Sequence, residues 1–189
     1  MNKPARMLFW ISVTMLVSTS VWAQAVTFAD LDGFVIEAEI VRDQIIRRED
    51  WQGSTQVKQK WTVVMDGEAI KQTVVSTVHS PRGKRTGQPR GGVLMLGKAE
   101  QLRGMGGDQG IWEFQNGILT FVRTFKQGAY RANFEVGRSA NGFSCSMNES
   151  FARERGVGGI VLNSVTDGKL LTLLSSKQVS SSCKIAKAN

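Results

Sequence analysis

Residues Ile111–Phe125 read IWEFQNGILTFVRTF, two short apolar runs joined by Asn116-Gly117. Asn-Gly between alternating apolar residues is the strongest short-range hairpin signal, because a type I′ turn needs φ > 0 at both central positions. Counting outward from that turn sets the pairing. Gln115 opposes Ile118, Phe114 opposes Leu119, Glu113 opposes Thr120 and Trp112 opposes Phe121. Trp112, Phe114, Leu119, Phe121 and, further along, Phe125 then share the face expected to meet the core. Ile111, Glu113, Thr120, Val122 and Thr124 form a mixed, half-wet face. Arg123 breaks the pattern, since it falls on the aromatic face, opposite Gly110 and diagonal to Asp108. A buried guanidinium needs a counter-charge or a polar cavity. Arg123 is therefore either a sheet-end cation that reaches outward or pairs with Asp108, or a contact for an anionic or polar ligand inside a barrel.

The same grammar recurs along the chain. Asp66-Gly67, Asn141-Gly142 and Asp167-Gly168 are further turn pairs flanked by alternating residues. Residues 34–41 alternate cleanly, with Phe34, Ile36, Ala38 and Ile40 on one side. Val57, Gln59, Trp61, Val63 and Met65 share a face, and a turn at Asp66-Gly67 places Val63 opposite Ile70 and Trp61 opposite Gln72. Gln44 to Thr55 reads as a loop or a strand extension. Ser80 to Gly92, SPRGKRTGQPRGG, reads as a loop rich in Gly, Pro and cations. Val93–Leu96 is a short strand and Gly97–Gly110 a Gly-rich connection. Residues 130–136 alternate, and Phe143, Cys145 and Met147 share a face. Phe151–Gly159 reads as a loop with room for one helical turn. Ile160–Val165 and Leu170–Ser175 make the last hairpin, and Cys183 lies in a Ser-rich strand or tail. The pattern predicts an all-β, antiparallel barrel of about eight to ten strands, lipocalin-like and up-and-down, with a two-sheet β-sandwich as the second arrangement.

The first 23 residues carry the marks of a secretory signal. Lys3 and Arg6 precede the apolar run Met7–Val21, and cleavage after Ala23 or Ala25 leaves a single β domain over 26–189. No second long apolar run follows, so no membrane span is expected after signal removal. The expected location is periplasmic or secreted. The segment holds two of the 24 cations and none of the 16 acids, so its removal lowers the net charge from +8 to +6. A basic exported protein favours anionic glycan, lipid or an envelope protein as neighbour rather than nucleic acid. Cys145 and Cys183 are the only cysteines, and an even count in an oxidising compartment predicts one disulfide.

His79-Ser-Pro-Arg-Gly-Lys-Arg-Thr-Gly87, Trp112-Glu-Phe, Leu119-Thr-Phe-Val-Arg-Thr124, Phe151-Ala-Arg-Glu154 and Gln178-Val-Ser-Ser181 with Cys183 resemble a group of uncharacterised exported alphaproteobacterial proteins. That resemblance implies a compartment and a small β-rich domain, with no known activity. The short turn leading into Gly33 and a long first strand also resembles a lipocalin opening, with Val35 where that family has Trp.

Chemistry-bearing constellations are sparse. His79 is the only histidine, with Ser76 and Ser80 nearby but no acidic residue beside it in sequence. Gly92–Lys98 matches the Gly and Lys spacing of a phosphate-binding loop, but Ala99 stands where Ser or Thr must bind Mg²⁺. Ser181-Ser-Cys-Lys184 lacks the companion motifs of penicillin-binding enzymes. No catalytic residue, metal site or cofactor is assigned. The candidate ligand contacts are the cations of the basic stretch, Arg82, Lys84, Arg85 and Arg90, together with Arg123. The expected function is non-enzymatic binding of anionic or amphiphilic envelope material. A structural interaction module is the alternative, and an unrecognised hydrolase built on His79 the third reading.

Overall fold

The computed structural model describes residues 25–49, 51–102, 110–125, 127–163 and 169–188. The expected signal segment, Asp108 and the expected Asp167-Gly168 turn lie outside the described residues. The described chain is almost all strand. Its elements are β1 (Phe34–Arg48), β2 (Trp51–Asp66), β3 (Ala69–Ser80), β4 (Gly83–Thr86), β5 (Arg90–Met95), β6 (Gly110–Gln115), β7 (Ile118–Phe125), β8 (Gly128–Ser139), β9 (Gly142–Arg153), β10 (Ile160–Asn163) and β11 (Leu170–Lys187). No helix among the described residues is long and apolar enough to cross a membrane.

Two antiparallel sheets enclose one interior. The larger runs β10-β11-β1-β2-β3-β4, with β5 also on β3, and curls into a half-barrel; the smaller runs β6-β7-β8-β9. They meet at two seams. At one, a single parallel bridge joins Leu96 to Trp112, and Gly97 N donates to Trp112 O at 2.8 Å. At the other, the Cys145–Cys183 disulfide ties β9 to β11 with Cα atoms 5.5 Å apart, and Glu149 N donates to Gln178 Oε1 at 3.0 Å.

The Asn116-Gly117 hairpin has the predicted register, including Gly110 opposite Arg123. Its turn residues take φ +52° and +79°, the left-handed pair a type I′ turn requires. Other turns are displaced. In β2–β3 the turn residues are Gly67-Glu68, so Met65 opposes Ile70, Val63 opposes Gln72 and Trp61 opposes Val74. Positive φ at Gly67, as the first central residue, fits a type II′ turn, and Gly67 N donates to Asp32 Oδ1 at 2.7 Å. The slip from the expected pairing is two residues, which preserves every inward-facing side chain. In β8–β9 the turn residues are Ala140-Asn141, one place earlier than expected, because Ser139 pairs with Gly142.

Two further readings are corrected and one left open is decided. The basic stretch is not a loop: β4 and β5 both pair with the same edge of β3, and Gly87 N donates to Ser76 O. Pro81 lies in the β3–β4 turn and Pro89 in the break between β4 and β5, where neither removes a ladder donor. Residues 44–48 and 51–55 are strand extension, paired as far as Arg48 with Trp51. Phe151–Arg153 belong to β9 rather than to a loop or helical turn.

A short N-terminal segment closes one end. Its 3-10 turn, Ala29–Leu31, buries Leu31 completely, and the Phe28 ring lies 5.6 Å from Phe114. Beneath it, Ile36, Ile40, Val63, Met65, Ile70, Trp112, Leu119 and Phe134 are fully buried. Trp61 stands at the middle of this core, its ring 5.6 Å from Phe121 and 5.8 Å from Phe134. The aromatic face read from the hairpin is thus one wall of the core. The opposite face is drier than expected at Val122, which is 1% exposed.

Candidate functional site

The inward alternation of β1 runs Ile36, Ala38, Ile40, Arg42, Gln44, Ile46, all buried. Halfway along, the interior changes from apolar to polar. β2 repeats the change in the opposite direction, with Thr55, Val57 and Gln59 before Trp61, Val63 and Met65. β3 faces the same space with Gln72, Val74, Ser76 and Val78. Strand pairing forces these side chains inward, because reversing their direction would turn the core residues of the same strands to water.

This polar half surrounds a cavity of about 400 Å³, at the end opposite the N-terminal plug. Such a volume lies within the range of roughly 300–1,000 Å³ typical of small-molecule sites. Its apolar wall includes Ile46, Val57, Val78, Phe125, Phe151 and Leu171. Arg42, Arg48, Arg90 and Arg123 also line it, and no Asp or Glu is among its described lining residues.

A hydrogen-bonded chain stiffens the inner wall. Arg42 Nη1 donates to Glu149 Oε2 at 2.7 Å and to Gln59 Oε1 at 2.8 Å. Gln59 Nε2 donates to Ser76 Oγ at 2.9 Å, and the Tyr130 hydroxyl donates to Glu149 Oε2 at 2.9 Å. The Arg42 guanidinium also lies over the Phe151 ring at 5.3 Å. The Arg42 and Glu149 side chains are 6% and 3% exposed, so this is a buried ion pair. Burial raises the Glu149 carboxyl above its ordinary value, against the opposing pull of Arg42 and Tyr130. Burial, with the Glu149 charge beside it, holds the Tyr130 phenol well above its usual range. The chain thus fixes Arg42 at the cavity wall.

The five cations singled out in sequence divide into two groups. Arg90 and Arg123 line the cavity, Arg90 from an exposed position opposite Val74. Arg123 stacks its guanidinium 5.3 Å from the Phe125 ring. Arg82, Lys84 and Arg85 are exposed, on the β3–β4 hairpin beyond the lining at the same end. Arg82 lies over the Trp51 ring at 5.6 Å. His79 is exposed and stands between Gln56 and Lys84 in the sheet; no carboxylate or nucleophile hydrogen-bonds to it among the described residues.

The most buried polar groups were not singled out in sequence. Gln59, Gln72 and Ser76 already occupied core-facing positions in the alternation, and that was the available signal. Arg42 and Gln44 continue the face of Ile40, and Glu149 continues the face of Cys145 and Met147. Compared with known proteins, the chain matches no family model, no curated sequence and no solved structure.

Proposed function

We propose that this is a non-enzymatic binding protein of the periplasm or secreted space, and that its ligand is an anionic amphiphile held between the two sheets. The observation that carries this reading is the cavity itself: apolar walls crossed by four arginines, with no carboxylate among its described lining residues. Of the four, Arg42 is buried, and an interior meant only as packing excludes such a group, because a buried charge costs several kcal/mol of desolvation, on the order of the total a domain can spare. Gly92 also faces the cavity, where a larger residue would fill it. The disulfide fits an oxidising compartment. Arg82, Lys84 and Arg85, at the same end, would steer an anion toward the mouth in a salt-dependent way.

Gly92 supplies the test. A Cβ there would meet nothing within 4 Å, and its partner Gln72 points inward, so a side chain at Gly92 enters the cavity without strain. Native mass spectrometry of protein purified from its own compartment should show an extra mass that denaturation removes. Gly92→Phe should lose that mass while keeping the wild-type fold. If the extra mass is absent, and Gly92→Phe leaves binding of added dodecanoate unchanged, the interaction-module reading replaces this one.

A further inference from the structure

Three polar side chains on the inner wall are more than nine-tenths buried yet under-used. Arg42 is 5% exposed, Gln44 8% and Thr55 4%. All three line the cavity, and Gln44 stands directly across from Thr55 in the β1–β2 ladder. Arg42 precedes Gln44 by two residues and so lies on the same face. Arg42 Nη1 donates to Gln59 and Glu149, while its buried Nε has no partner among the described residues. Thr55 Oγ1 has no partner among the described residues, and Gln44 is buried beside it. A buried donor left without an acceptor is costly, and native proteins answer it with water or a ligand.

The arrangement selects an acceptor. The Nε–Nη2 edge of a guanidinium is a fork of parallel N–H groups matched to the two oxygens of a carboxylate. The Glu149 and Gln59 contacts hold Nη1, so the position of the guanidinium is fixed before anything binds. The Gln44 amide and the Thr55 hydroxyl add two neutral donors beside it. The apolar wall formed by Ile46, Val57 and Leu171 then continues along the same cavity.

From this geometry we infer that the ligand enters head first: a simple alkanoate whose carboxylate sits on Arg42, Gln44 and Thr55 and whose chain lies along the apolar wall. This inference rests on the cavity being a ligand site. It adds the ligand's polarity and the size of its head. A bulky headgroup has no place at the inner wall, so lysophospholipids are excluded although they too are anionic amphiphiles.

The test uses dodecanoate and a dodecanoyl lysophosphatidylglycerol on the full mature protein. Dodecanoate should bind one saturable site and the lysolipid should not displace it. The carboxyl signal of ¹³C-labelled dodecanoate, when bound, should not follow the titration of the free acid. Gln44→Leu with Thr55→Val should weaken dodecanoate at least tenfold. It should leave the urea midpoint unchanged or higher, since the substitutions replace buried polar groups, one of them the unpartnered Thr55 hydroxyl, with apolar side chains of similar size. Wild-type affinity in that double variant, or equal competition by the lysolipid, places the head outside and overturns the inference while leaving the cavity reading intact. If neither amphiphile binds the wild-type protein, the cavity reading falls, and the inference with it.

Discussion

Removing Arg42 alone should be among the most damaging single substitutions in this protein. The Arg42–Glu149 pair is 2.7 Å apart with both side chains almost fully buried. At an effective dielectric of 20, that separation corresponds to an attraction of about 6 kcal/mol, set against a desolvation cost of several kcal/mol per ion. As a net contribution the pair is therefore modest. Breaking it is another matter: Arg42→Met leaves the Glu149 carboxylate buried with only the Tyr130 hydroxyl and its backbone contacts, and should cost about 3–5 kcal/mol. The Gln59 carbonyl loses its donor as well. The double variant Arg42→Met/Glu149→Gln removes both charges and keeps an acceptor for Tyr130, so it should recover most of the loss, to within about 1 kcal/mol of wild type. Urea unfolding followed by tryptophan fluorescence measures all three proteins, with Trp61 and Trp112 buried as reporters. A single variant within about 1 kcal/mol of wild type, or a double variant as unstable as the single, refutes the account of a fixed, charged Arg42.

Other consequences follow from the same structure. Burial raises Glu149 above its ordinary value near 4.5, so the folded state keeps a proton that the unfolded chain has released. Stability should then fall as pH rises from about 4.5 through the raised value, and the Arg42→Met/Glu149→Gln protein should lack that slope; equal slopes would contradict it. Replacing Cys145 and Cys183 with Ser opens a loop of sequence separation 38 and unties the two sheets, and should lower stability by about 4 kcal/mol in thermal or urea unfolding. Gly117→Ala places a Cβ 2.8 Å from Val136 O at φ +79°, and should cost more than about 1 kcal/mol, read as a lowered urea midpoint. Replacing Arg82, Lys84 and Arg85 with Ser should change stability by less than about 0.5 kcal/mol each, because these side chains are exposed, and should reduce the salt dependence of ligand association.

The rest of the chain shows where local reading works. The Asn116-Gly117 turn specifies its own geometry, because only a few residues accept φ > 0 twice in succession, and its register extended correctly to Arg123. The Asp66-Gly67 pair was legible as a turn but not as a type: Gly67 takes the first central position, with its N–H held by Asp32 from another part of the chain. The basic stretch was misread for a related reason. Glycine and proline lower strand propensity, yet the free edge of β3 supplied partners that local sequence does not contain.

From sequence alone came the all-β class, the hairpin periodicity, the disulfide partners and the face on which Arg123 sits. Each depends on residues close along the chain, on a period of two, or on simple counting. The tertiary structure decided that β11 returns beside β1, that two sheets meet at thin seams, and that Arg42, Glu149, Gln59 and Tyr130 converge at one wall. Arg42 and Glu149 lie 107 residues apart, and nothing in local sequence pairs them. A barrel interior is the sum of side chains from strands distant in sequence, so whether an inward arginine marks a sheet end or a binding site depends on what the other strands place opposite it.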